Sequence, residues 1–168
     1  MDIGALTEKG MGMDAKVWAR HANPWSGWTR LPVLPALAIA IWAREWIGIW
    51  CLAAIVVLLV WIWLNPRVFP KPDSTDNWMS RGVMGERVWL NRKQVPIPTH
   101  HAWWAIFLSV VSAIGIAPLA WGLWVLDVWP VLTGLVITMG GKLWFLDRMA
   151  WLFADMGDEH PDYRAMLY

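Results

Sequence analysis

A single cysteine among 168 residues leaves no disulfide framework and no cysteine-built metal site, and Cys51 stands inside an apolar run, where it reads as a small buried hydrophobe. Charge is scarce as well. Asp, Glu, Lys and Arg make up 16% of the chain and nearly cancel, at a formal +1, so bulk electrostatics gives no nucleic-acid partner. The sequence has no Gly-x-x-x-x-Gly-Lys loop, no Gly-x-Ser-x-Gly elbow and no His-Glu-x-x-His pair, which removes the commonest nucleotide, serine-hydrolase and zinc-protease sites. The first thirty residues carry Asp2, Glu8, Lys9, Asp14, Lys16 and Arg20 with no apolar core among them. They are therefore not expected to act as a signal peptide, and the N-terminus is expected to stay where it was made.

What the chain does have is tryptophan. There are 17, gathered at the ends of long apolar runs, where an apolar ring with one N–H donor settles at the level of lipid headgroups. Four spans are read on that basis: Trp28 to Trp42, Trp46 to Leu64, Trp103 to Trp124, and Trp129 to about Trp144. Ala43-Arg44-Glu45 and Leu126-Asp127-Val128 form the two tips, because paired charges at the centre of one long membrane helix would each cost about 2.5 kcal/mol or more. Trp-to-Trp separations of about 14 to 17 residues correspond to roughly 21 to 26 Å of helix, short of a hydrocarbon core of about 30 Å. Gly115 and Pro118 are expected to interrupt the third span. The first holds two prolines near its start, so a half-inserted segment is the alternative there.

The expected fold is thus an all-α integral membrane protein with four transmembrane helices, arranged as two tandem helical hairpins with an interfacial helix between them. Its divisions are an N-terminal arm (1–27), a first hairpin (28–64), a loop (65–101) with a short helix over Trp78 to Trp89, a second hairpin (102–154) and a tail (155–168) that is exposed or docked on a partner. Of the 14 Lys and Arg residues only Arg44 falls at a tip, so the positive-inside rule puts both termini and the loop in the cytoplasm of a bacterial inner membrane. The two hairpins resemble one another around their tips and final Trp residues, as either a duplication or convergent placement of the aromatic belts would leave them.

Candidate site residues are few. His21, His100 and His101 are the imidazoles expected on the cytoplasmic face, with Glu86 and Asp147 on the same side, and imidazole suits haem, a metal ion or the magnesium of (bacterio)chlorophyll. No metal site is assigned, since the histidines have no ligand spacing, and their plainer reading is interfacial hydrogen bonding. Arg30, Arg67, Arg87 and Arg148 form an expected collar for anionic lipid headgroups. Gly134, Gly140 and Gly141 offer a surface for close helix packing, within the chain or with another subunit. Arg44 and Glu45 are expected to pair with Asp127 across the tips.

At His21-Ala22-Asn23-Pro24-Trp25-Ser26, Leu64-Asn65-Pro66-Arg67, Gly85-Glu86-Arg87-Val88-Trp89-Leu90 and Lys142-Leu143-Trp144-Phe145-Leu146-Asp147-Arg148-Met149, the chain resembles a family of small prokaryotic membrane proteins classed as a domain of unknown function. The resemblance covers about Trp18 to Met156 and implies no activity. It leaves out the arm from Met1 to about Met13, in which Met11 or Met13 is an alternative start. Two functions are carried forward. The first is a non-catalytic accessory subunit of a larger energy-transducing complex, with a photosynthetic reaction-centre and antenna complex as one candidate host; its partners are other membrane subunits and lipids, and no cofactor is expected. The alternative is a membrane redox protein whose histidines hold a metal, a haem or a pigment.

Overall fold

The computed structural model describes residues 15–168, and every regular element among them is helical. Three stretches are long and apolar enough to cross a membrane: Pro24–Val68, Thr99–Val125 and Val128–Glu159. The first is not one rod. It holds α2 (Pro24–Trp28), α3 (Val33–Trp42), α4 (Arg44–Ile47), a single 3-10 turn (Gly48–Trp50) and α5 (Cys51–Val68), preceded by α1 (Ala15–His21). Pro32 caps α3 and Pro35 lies in its first turn, where a missing N–H leaves no intrahelical bond unmade. The chain turns at Gly48, whose φ of 53° and ψ of −132° suit a residue without a side chain. This turn is longer than the expected Ala43-Arg44-Glu45 tip. Thr29 and Ser26 meet Trp61 and Asn65, so the two ends of the stretch lie side by side.

The second apolar stretch is α7 (Thr99–Ile114) followed by α8 (Ile116–Val125). Pro118 has no N–H to give the carbonyl four residues back, and the helix breaks at Gly115 as expected. Leu126, at φ 58°, ends α8, and Asp127 starts α9 (Val128–Glu159) by accepting from the Trp129 N–H at 3.0 Å. Arg44 reaches the open carbonyls at the end of α8, donating from Nη2 to Leu123 O at 2.6 Å and Trp124 O at 3.1 Å. That replaces the expected pairing with Asp127: the negative end of a helix draws the guanidinium, while the Asp127 carboxylate is used at the start of the next one.

The helix α6 (Trp78–Leu90) departs most from expectation. Asn77 caps it through the Ser80 N–H at 2.9 Å, but it is buried on a broad face, through Met79, Ser80, Gly82, Val83, Met84, Gly85 and Val88. Glycines bring it against α9: a Cβ on Gly85 would stand 1.8 Å from the Met149 carbonyl oxygen, so nothing larger fits at this backbone separation. Its companions Val88, Leu108, Met149 and Leu152 are fully enclosed, and Phe153, Met156 and Tyr163 complete the main core. The sequence offered α6 as a short interfacial helix; burial on α9 makes it part of the core as well. A smaller cluster of Ala38, Leu119, Leu123 and Val131 joins α3 to α8 and α9 near the tips.

The C-terminal tail docks on its own chain. α9 runs past residue 154 to Glu159, and α10 (Pro161–Arg164) returns Tyr163, whose hydroxyl accepts from Asn91 Nδ2 at 3.0 Å. Thr75 clasps the end, its N–H donating to Tyr168 O at 2.8 Å and its hydroxyl to Met166 O at 2.8 Å.

Candidate functional site

Two motifs far apart in sequence meet at one buried polar chain. Arg30 Nη2 lies 2.9 Å from His21 Nε2, and His21 Nδ1 lies 2.9 Å from Ser26 Oγ. Ser26 donates to Asn65 Oδ1 at 2.7 Å, Asn65 Nδ2 donates to Thr29 Oγ1 at 2.8 Å, and Thr29 donates to Trp25 O at 2.6 Å. Direction follows from one fact: a guanidinium has only donors. His21 Nε2 must accept from Arg30, so the proton sits on Nδ1, which donates to Ser26 Oγ, and each hydroxyl then has one donor use and one acceptor use. Each neutral side chain in it is satisfied. Burial lowers the His21 pKa from 6.5 to about 3, with the Arg30 charge pushing the same way, so the ring is neutral at physiological pH.

The local fold explains the placement. Asn23 caps α2 through the Trp25 N–H at 3.0 Å and holds Pro70 O with its amide at 3.1 Å, while Arg20 Nε donates to Phe69 O at 2.9 Å. These bonds fasten the start of the first apolar stretch to the exit of α5. Ser80 Oγ then donates to Ala22 O at 2.5 Å, which ties α6 to the same corner.

The other two motifs supply the charges. Glu86 on α6 is paired with Lys142 on α9, whose ammonium also lies 4.7 Å from the Phe145 ring centroid. Burial alone would raise the Glu86 carboxyl, but the Lys142 charge and hydrogen bond, with Arg30 nearby, outweigh it and hold the group below its usual range. Arg30 and Glu86 line one wall region of a cavity of about 370 Å³, which continues as an apolar groove between α3, α5, α6 and α9 past Leu34, Leu37, Ile62 and Met139.

The three candidate histidines do not form one site. His21 has both ring nitrogens engaged, so no lone pair remains for a metal or haem iron. The rings of His100 and His101 lie 4.2 Å apart between centroids, tilted by 39°, and His101 Nε2 lies 2.8 Å from Asp155 Oδ2. One ligand atom from each of His100, His101 and Asp155 falls within 4.8 Å of the others. Asp155 was invisible in the sequence as a partner, because it comes from α9, more than fifty residues on.

The four collar arginines engage different neighbours. Arg30 is in the polar chain; Arg67 lies over Trp63 at 4.3 Å; Arg148 holds Asp147 at 2.9 Å, and Arg87 lines a separate open hollow beside the tail. The glycines divide too. A Cβ on Gly134 would meet Leu119 N at 2.4 Å and one on Gly141 would meet Ser112 N at 2.9 Å, so both serve contacts inside the chain, whereas Gly140 faces open space.

The sequence matches a family profile over residues 3–166, so the resemblance extends to nearly the whole chain. The chain belongs to DUF6653, a family of unknown function. The match begins ahead of Met13, which brings the N-terminal arm inside the family rather than outside it; the alternative starts at Met11 and Met13 lie outside the described residues. No curated protein and no solved structure matches the chain.

Proposed function

We propose that this protein is a non-catalytic accessory subunit of a larger energy-transducing assembly in the bacterial inner membrane, crossing the bilayer four times as two hairpins with both termini in the cytoplasm. The observation that carries the reading is the contrast between its two kinds of surface. The neutral polar side chains of the buried cluster satisfy one another, while the helices expose apolar and tryptophan surface that needs lipid or a partner to cover it, including Trp124 at 79%, Trp129 at 73% and Val136 at 71%. Support for two hairpins comes from the Thr29–Asn65 bond at one end and the Arg44 bonds to Leu123 and Trp124 at the other. α5, with 18 residues, measures about 27 Å, and α9, with 32, about 48 Å, long enough to cross the bilayer and still reach into the core built with α6.

On α9, Leu132, Val136 and Gly140 follow one another at four-residue intervals on an exposed face. Gly140→Leu adds bulk there with no neighbour to strike, whereas Gly141→Leu would drive into Ser112. The G140L chain should insert normally and no longer migrate with the larger complex on native gels after mild detergent extraction. Migration of the wild-type chain alone under those conditions refutes the subunit reading.

A second reading is favoured by His100, His101 and Asp155. Two imidazoles and a carboxylate suit zinc, nickel, copper or iron, with small side-chain rotations to bring the donors to bonds of about 2.1 Å. Titration of the purified protein with Zn²⁺ should then show binding to the wild type at one equivalent and none to D155A. Equal behaviour of the two removes this reading.

A further inference from the structure

The guanidinium of Arg30 is the one charge in the buried cluster with no opposite charge of its own. Its Nε donates to Ser26 O at 3.2 Å and its Nη2 to His21, both neutral acceptors. No carboxylate pairs with it among the described residues, because Glu86 is taken by Lys142. His21 is neutral, so Arg30, Lys142 and Glu86 together leave one positive charge. A partly buried cation of this kind is costly unless an anion joins it.

That charge lies at one end of the groove, and the groove changes character in one direction. Along the first apolar stretch, Arg30 is followed by Leu34 and Leu37; along α9, which runs the opposite way, Lys142 is followed by Met139. Glu86 neutralises Lys142, so the unpaired charge at this end is that of Arg30, and both walls become largely apolar as they leave α6, with Ser112 and Thr138 the polar exceptions. This is the profile of a bilayer leaflet, headgroup first and hydrocarbon after. The groove walls belong to the three membrane-length stretches and to α6, so a lipid would enter from the side.

We infer that the groove holds one anionic membrane phospholipid, its phosphate accepting from the Arg30 guanidinium and one acyl chain lying along Leu34, Leu37, Ile62 and Met139. Arg30 suits the task because its planar fork still has an Nη1 group with no partner among the described residues, and bidentate or paired N–H donation to phosphate is what a guanidinium does better than an ammonium. The lipid becomes an internal strut between the first apolar stretch and α9, adding to the cluster of Ala38, Leu119, Leu123 and Val131 that joins them near the tips. It requires only that the chain be embedded in a bilayer; the accessory role and a bound lipid fail separately, the first by lack of co-migration and the second by lack of binding.

The test uses the full-length chain, delipidated in mild detergent, titrated separately with dioleoyl-phosphatidylglycerol, dioleoyl-phosphatidylcholine and oleate, and read by native mass spectrometry. The wild type should retain a single phosphatidylglycerol, with an apparent affinity about tenfold or more above that for phosphatidylcholine. R30Q should lose that preference, and R30K should recover only part of it. Met139→Trp, which fills the groove at a half-buried position and leaves Arg30 in place, should lower retention by about the same factor. If R30Q fails to fold by circular dichroism, M139W decides the matter. Equal retention of phosphatidylcholine, oleate held in place of the phospholipid, or unchanged binding in the folded variants overturns the inference.

Discussion

Lowering the pH should loosen the corner where α1, α2 and α5 meet, and His21 sets the amount. Its imidazole titrates at about 3 in the folded chain against 6.5 when exposed. A base with a depressed folded value contributes its full stability above pH 6.5 and loses it as pH falls toward 3, because only the unfolded chain takes up the proton in that window. Each pH unit well below 6.5 is worth about 1.4 kcal/mol, and because the unfolded imidazole is already half-protonated at pH 6.5, moving from pH 6.5 to 4.5 should cost about 2.3 kcal/mol from this residue alone. Protonation would set an Nε2–H against Arg30, a clash of two donors, with Glu86 giving partial relief and Lys142 opposing it. The assay is thermal unfolding of the detergent-solubilised chain, followed by tryptophan fluorescence at several pH values, for the wild type and His21→Gln. Gln offers an acceptor and a donor but does not titrate, so the difference between the two curves isolates His21 from the acidic residues. The gap between variant and wild type should close, and then reverse, between pH 6.5 and 4.5. Parallel loss of stability across that range would falsify the placement of a neutral, fully engaged His21.

Asn65→Ala should destabilise the chain by about 3 kcal/mol in the same assay, since it leaves the buried Ser26 hydroxyl with no acceptor and the Thr29 hydroxyl with no donor; a cost under about 1 kcal/mol would show that the network is not closed. Gly85→Ala places a methyl group against the Met149 carbonyl and should cost about 3 kcal/mol or prevent folding, while Gly140→Ala should be close to neutral; equal effects would contradict the close approach of α6 to α9. In a Cys51→Ala background, cysteines at Ser74 and Asp127 should react from opposite sides of the membrane in intact cells, with only Asp127→Cys labelled by an impermeant reagent. Labelling of both from outside removes the four-span topology.

Much of the architecture was legible because a bilayer imposes simple demands. Apolar length, tryptophan at its ends and charge at the turns are one-dimensional properties, so the second and third membrane-length stretches could be read closely: the bend at Gly115 and the turn around Leu126 and Asp127 are where the sequence puts them, while the capping bond of Asp127 emerged only with the structure. The sequence also named the residues of the polar cluster, in the motifs around His21, Asn65, Glu86 and Lys142. Their meeting was not legible. Whether His21 serves as a ligand or as a satisfied link depends on where Ser26 and Arg30 lie in space, and periodicity carries no such distance. The same limit concealed Asp155 beside His101 and turned α6 from a surface helix into core, since glycines at 82 and 85 look like weak helix formers until α9 is seen lying against them. Local chemistry and solvent fixed which segments are helical and where they turn; only tertiary packing decided which polar groups are used up and which charge, on Arg30, is left over.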